Sequence, residues 1–299
     1  MMDTEPEISF EPRGATAPPA ACYEVAGGTV QGRDHRSRGR NNQDAYTWGE
    51  AGGALVAVVA DGCGSSPASE VGARVGAHLL RESCLRNAAS LRAGEAGGWL
   101  EARRREVLAR LRALARAMGG VGGYAAAVQA HLLFTVQAAV LTPACSLVAG
   151  IGDGYLRIDG RTVDLEPPGN APPYLAYALL PPERVEMDPA RFRFAVHAEA
   201  AGGAFARLLL GTDGVRDLAR AAAAPRSDGA PTVPGLAAFW EEDRFYGNPH
   251  AVGRELTRLA ADTLRIDWDA RRKSTRPGLL PDDTTLVALR RRPAPEIGR

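Results

Sequence analysis

The sequence predicts a mixed α+β protein, and three observations carry that expectation. Short apolar runs such as ALVAVVA at 54–60 are too brief for core helices and end at turn residues, as buried strands do. Other segments place apolar residues at helical spacing behind a cap, as after Ser66-Pro67. The composition, 45% hydrophobic and 24% charged over 299 residues, is that of a globular chain long enough to bury a large core.

Taken in order, residues 1–20 and 292–299 carry few large apolar groups and are expected to be loose tails. No linker or repeat divides 21–291, so one domain is expected there. A strand at Ala54–Ala60 leads into a helix whose inner face is expected at Val71, Val75 and Leu79. A second helix is expected over Trp99–Met118, with Leu100, Val107, Leu111, Leu114 and Met118 inward. Its arginines (Arg103, Arg104, Arg105, Arg110, Arg112) are read as a solvated face. No charge occurs from Ala117 to Gly152. Polar residues and glycines scattered there favour two buried strands, His131–Leu141 and Cys145–Ile151, over a membrane span. Strands are expected at Tyr155–Ile158, Arg191–His197, Phe205–Gly211 and Thr284–Arg290, and a helix over Pro249–Leu264. The proline-studded stretch 165–190 cannot be regular throughout and reads as a long loop, functional or inserted. His78, His131 and His197 are read as packed histidines. Phe239, Trp240, Phe245 and Tyr246 read first as buried, with a substrate-docking flap as the sharper alternative.

Charge and composition exclude several classes. The net charge is +1, so no global field points to nucleic acid or an anionic membrane. Lys273 is the sole lysine and follows Arg272, which excludes a Walker phosphate loop and protein-kinase chemistry. Cys22, Cys63, Cys84 and Cys145 lie far apart, offering neither a disulfide framework nor a zinc site; they suit a reducing compartment. The start, MMDTEPEISFEPRG, lacks the form of a signal peptide, so a cytoplasmic location is expected.

The informative signal is where the aspartates stand. Asp-Gly pairs occur at 61, 153, 159, 213 and 228. At Asp159 and Asp228 the ordinary hairpin reading is sufficient. In LVAVVADG, SLVAGIGDG and RLLLGTDG, an aspartate closes an apolar strand instead. Helical patterns follow Asp61 and Asp213, which removes the hairpin account; Asp153 keeps it as a competitor, since YLRIDG resembles a returning strand. With Asp44 and Asp282/Asp283, five acidic points fall at strand ends. Gathered together they would repel, raise one another's pKa values and call for cations. Oxygen-only ligands without clustered His or Cys select hard ions, Mn²⁺ or Mg²⁺, and such a pair activates water for attack on phosphorus.

In that order the motifs GRDHRSRGRNNQDA, VVADGCGSSPASEVGA, VAGIGDG, LLLGTDG and PDDTTLVAL resemble the metal-dependent PP2C-type serine/threonine phosphatases, from about Gly27 to Leu289. The resemblance implies a four-layer α-β-β-α sandwich of two antiparallel sheets with a binuclear Mn²⁺ or Mg²⁺ centre at one sheet edge. It implies Asp61 bridging two ions, the Gly62 carbonyl on one, and Asp213 and Asp282 on the other. Asp153 would serve a third, weaker ion and Asp44 would act through water. The implied activity is hydrolysis of phosphoserine or phosphothreonine in a phosphorylated protein, the substrate of a serine/threonine kinase. Three departures stand out. Gln43 replaces a glutamate, Gly39 occupies the usual place of a phosphate-gripping arginine, and Cys63 stands where animal members often have histidine. Arg40 is expected to take over the grip, with Arg36 and Arg38 as substitutes, on the argument that an extended segment turns Arg38 and Arg40 to one face. His35 is expected to line the site as a phosphate contact or acid. A pseudophosphatase used as a binding module, or a small-molecule phosphoesterase of this fold, are the rival expectations.

Overall fold

The computed structural model describes residues 19–120, 122–223, 232–269 and 271–292. The tails expected at 1–20 and 292–299 fall almost wholly outside the described residues, as does Asp228.

Continuous apolar strands require cover on both faces, and the fold supplies it. One sheet contains β2 (Asp44–Ala51), β3 (Ala54–Gly62), β4 (Phe134–Leu141), β5 (Cys145–Ile151) and β8 (Ala195–Ala201), in the order β2-β3-β4-β5-β8. The other orders as β1-β12-β9-β6-β7, from β1 (Tyr23–Val30), β6 (Gly154–Ile158), β7 (Arg161–Leu165), β9 (Arg207–Gly211) and β12 (Thr284–Arg291). All pairings are antiparallel. Leu55, Ala57 and Val59 of β3 meet Leu208, Leu210, Val287 and Leu289 between the sheets. Their neighbours Val56, Val58 and Ala60 face outward against helices α2 (Glu70–Arg86) and α3 (Ala96–Gly119). On the far side Leu209, Leu286 and Ala288 lie under α5 (Gly214–Arg220), α6 (Ala238–Glu241) and α7 (Ala251–Ala260). The result is the expected four-layer α-β-β-α sandwich. Each fully buried Leu or Val in these strands contributes roughly 1.5–3 kcal/mol, so the run ALVAVVA is spent on two cores at once.

Several element expectations are corrected. The inner face of α2 is Ala73, Ala77, Leu80 and Cys84; Val71, Val75 and Leu79 are only half-buried, and His78 is exposed, with Nδ1 3.2 Å from Arg81. Large residues mislead because the contact is made by small ones: a Cβ on Gly76 would stand 2.0 Å from the Phe134 ring. Helix α3 shows the same shift: Leu108 and Ala115 are buried, Leu114 half-buried and Met118 exposed. Its arginines are more engaged than a merely solvated face would be, since Arg104 pairs with Glu101 and Arg103 lies over Trp99. His131 ends helix α4 (Tyr124–His131) rather than opening a strand. The strand expected at Arg191–His197 is Ala195–Ala201, behind a 3₁₀ turn at Pro189–Phe192. The helix expected over Pro249–Leu264 stops at Ala260. Leu264 instead pairs with Thr275 in a hairpin of β10 (Thr263–Asp267) and β11 (Arg272–Arg276). Phe239, Trp240 and Phe245 are core residues, as the first reading had it.

Asp159 does make a hairpin turn, joining β6 to β7 with left-handed φ at Asp159 and Gly160. Asp153 does not. Strand β5 belongs to one sheet and β6 to the other, so Gly152-Asp153-Gly154 is a crossing between layers. Gly152, at φ +90 and pressed on Thr135, permits that step. No described helix is long and apolar enough to cross a membrane.

Since Phe134 is fully buried, Gly76→Ala should overpack α2 against β4, at a cost of about 1–3 kcal/mol. Calorimetry should show the melting temperature lowered by several degrees, at roughly 2–4 °C per kcal/mol for domains of 150–250 residues; an unchanged value would remove this contact from the core.

Candidate metal centre

One edge of the sandwich collects the strand-end aspartates. Asp44 opens β2 directly opposite Asp61 near the end of β3, and Asp61 also pairs with Thr135 at the start of β4. Asp153 lies in the β5–β6 crossing, Asp213 between β9 and α5, and Asp282 just before β12. Asp61, Asp153, Asp213 and Asp282 line one cavity of about 140 Å³, together with His35, Gly62, Gly64, Thr135, Pro172 and Tyr174. The structure thus brings together six of the eight residues named from the sequence. Asp44 lies behind the cavity, buried, with Oδ2 accepting from the Thr212 hydroxyl at 2.8 Å. Its Oδ1 is buried without a partner among the described residues.

The two acids before β12 part company. Asp283 is turned inward: Oδ1 accepts from the Gly32 amide at 2.7 Å, and Oδ2 from the Gln43 amide at 2.6 Å and from His35 Nδ1 at 2.7 Å. Asp282 faces the cavity. Gln43 is buried, does not line the cavity, and donates from Nε2 to the Ser66 carbonyl at 3.0 Å. A glutamate could not make that bond, so the amide fastens the loop after Asp61.

Arg40 stands at the rim rather than in the cavity, its guanidinium bonded to the carbonyl of Gly64, a lining residue. The extended segment expected around it is instead a helical turn, α1 (Arg33–Ser37), followed by a turn in which Gly39 has φ +64. Alternation therefore does not align Arg38 with Arg40. Arg38 is exposed, and Arg36 donates to the Ala260 carbonyl at 2.7 Å, away from the cavity. Gly64, Thr135, Pro172 and Tyr174 were missed; Gly64 sat in the loop after Asp61, Thr135 inside an apolar strand and the other two in a stretch without periodicity.

Electrostatics follow from crowding carboxylates in a partly dry site. Burial first, then Asp44, Asp213, Asp153 and Asp282, hold the Asp61 carboxyl well above the usual carboxylate range. Asp213 is pushed up to about 6 by burial, then by Asp282 and Asp153. Asp153 and Asp282 are raised too, burial again leading, and Asp44 is raised by burial and then by Asp283. Arg216, whose charge opposes the shifts of Asp153 and Asp213, is already held by Asp164 at 2.7 Å. Apart from His35, no basic residue lines the cavity. A surplus of oxygen donors, one of them buried and unpartnered, fits hard divalent cations.

Residues 31–241 match the family described as Protein phosphatase 2C. No curated protein matches the chain. Among solved structures it is similar to the serine/threonine phosphatase Stp1 from Staphylococcus aureus, at 14% identity over 94% of this chain and 98% of that one, TM-score 0.49. It is similar to the Mycobacterium tuberculosis serine/threonine phosphatase PstP/Ppp, at 17% over 90% and 98%, TM-score 0.48. It is also similar to PppA, a key regulatory component of T6SS in Pseudomonas aeruginosa, at 19% over 91% and 98%, TM-score 0.46.

Two outcomes follow from the charge surplus. Asp61→Asn should raise the melting temperature of the metal-free protein by relieving repulsion, while abolishing the increment that millimolar Mn²⁺ gives the parent. A variant that melts lower without metal and keeps the increment would place the surplus elsewhere. The second outcome concerns pH. A carboxyl whose folded pKa is raised costs the fold nothing below its unfolded value, and the cost grows with pH until the folded value is passed. For Asp213 that window runs from the ordinary 3.8 to about 6. Cations bind the ionised carboxylate and must displace its proton within and below that window, so the Mn²⁺ increment should be larger at pH 7.5 than at pH 5.5; scans at both values check the sign.

Proposed function

The chain belongs to the protein phosphatase 2C family, and from that premise we propose that it hydrolyses phosphoserine and phosphothreonine in phosphorylated proteins, using two Mn²⁺ or Mg²⁺ ions. The observation that carries this reading is the convergence of Asp61, Asp153, Asp213 and Asp282 on one small cavity without a compensating cationic side chain inside it. Asp61 and the Gly62 carbonyl would hold one ion, with Asp61 bridging to a second on Asp213 and Asp282. Asp153 would serve a third, weaker ion, and Asp44 would act from behind through water. When bound, such a pair supplies a nucleophilic water at neutral pH and neutralises charge on the phosphoryl oxygens.

The chain's own residues do the rest. Asp283 fixes the ring of His35 at the cavity wall, where the imidazole would contact the phosphate. Arg40, at the rim beside Gly64, would grip the phosphoryl group bidentately as it enters. Asp283 binds no ion in this reading, since both its oxygens are taken up by the fold. Gln43 leaves the cavity's acid set untouched, and this supports an active enzyme over a binding-only module. A cytoplasmic protein that reverses a serine/threonine kinase suits the free cysteines Cys63, Cys84 and Cys145.

The test is Mn²⁺-dependent release of phosphate from a phosphothreonine peptide by the pure protein. Turnover is expected, and Asp213→Asn should lower it on the order of a hundredfold or more. Metal-induced stabilisation without turnover would make the chain a binding module instead. Arg40→Ala should raise KM for the peptide about tenfold, the worth of one charge-assisted hydrogen bond, with the Mn²⁺ melting increment unchanged; unaltered kinetics would leave Arg40 a rim residue bonded to Gly64.

A further inference from the structure

The proline-studded segment between β7 and β8 forms one wall of the cavity. Pro172 and Tyr174 line it, while Leu175, Ala176 and Leu179 are buried in the core beneath α3. The Tyr174 ring is braced edge-on by Tyr177 at 5.1 Å, and Tyr177 by Phe192 at 5.5 Å. At its other end the Tyr174 hydroxyl lies beside Cys63, next to Gly62, and the Cys63 thiol is itself 3.1 Å from the Ser65 hydroxyl. A surface insertion would leave such a ring free; here it is braced on Tyr177 and lines the cavity that holds the acid cluster.

Apart from His35, given to the phosphate in this reading, the remaining lining groups are poor donors. The aspartates offer acceptors, the Thr135 hydroxyl lies beside the Asp153 carboxylate, and His35 Nδ1 is taken by Asp283. An uncharged hydroxyl on a rigid wall is the feature this cavity needs for a departing oxygen. We propose that Tyr174 is a catalytic residue that donates a hydrogen bond to the leaving seryl or threonyl oxygen. This deepens the phosphatase reading and rests on it. As the bond from phosphorus to that oxygen breaks, its electron pair stays on the leaving oxygen. The phenol disperses this charge while remaining protonated. The proton shed by the attacking water passes to solvent, and one from solvent completes the alcohol.

The dependence on leaving group tests it. The full chain and its Tyr174→Phe variant are assayed with Mn²⁺ on a phosphothreonine peptide, whose alkoxide leaves poorly, and on p-nitrophenyl phosphate, whose phenolate needs no donor. Tyr174→Phe should lower kcat on the peptide about tenfold and change turnover of p-nitrophenyl phosphate less than about twofold, the expected signature of a lost leaving-group interaction. The Mn²⁺ melting increment should equal the parent's, which establishes an intact fold and metal site. Equal losses on both substrates, or none on either, overturn the role of Tyr174 while the parent's activity stands. A parent that turns over neither substrate overturns the phosphatase reading itself, and this outcome is visible without any variant.

Discussion

The carboxylate of Asp283 holds the site together without entering it. Two backbone amides and one imidazole converge on it from the connection between β1 and β2, while Asp283 itself immediately precedes β12, in the sheet that contains β1 and not β2. Each buried amide left unpaired would cost about 1–3 kcal/mol. The connection it anchors carries His35 and Arg40 and delivers Asp44 opposite Asp61. Its neighbour Asp282 is left facing the cavity by the same geometry, because consecutive residues entering a strand point to opposite sides.

Around that anchor the sandwich gathers like charges that would otherwise fly apart. The Asp44–Asp61 pair belongs to one sheet and Asp282 to the entry of the other, and the Thr212–Asp44 hydrogen bond reaches between the layers. The core on either side of β3 and β12 supplies the stabilisation that offsets this repulsion. Local instability at a functional edge, compensated by burial elsewhere, is an expected pattern in enzymes.

The strand-end aspartates were legible because an apolar run followed by Asp-Gly and then a helical pattern has few structural interpretations. Choosing Asp282 over Asp283 rested on resemblance; side-chain direction, which separates them, is absent from a linear pattern. The inner face of α2 was misplaced because Gly72, Gly76, Ala73 and Ala77 make the contact, and small residues carry little weight in a hydrophobic stripe. Arg40 was assigned through an extended backbone, whereas a helical turn ending at Ser37 and a turn at Arg38-Gly39 precede it. Tyr174 was invisible for a different reason. It sits among prolines, where neither the 2-residue nor the 3.6-residue period exists to aim a side chain.

Strands β1 and β12 pair with Tyr23 opposite Arg291, so the two ends of the described fold meet on adjacent strands. Both ends lie seven residues from Val30 and Thr284, roughly 23 Å along the strands from the acid edge. A short linker could therefore join them, and new termini could be opened in the exposed hairpin of β10 and β11. Partners joined directly at Tyr23 and Arg291 would leave the sandwich side by side, well clear of an incoming macromolecule.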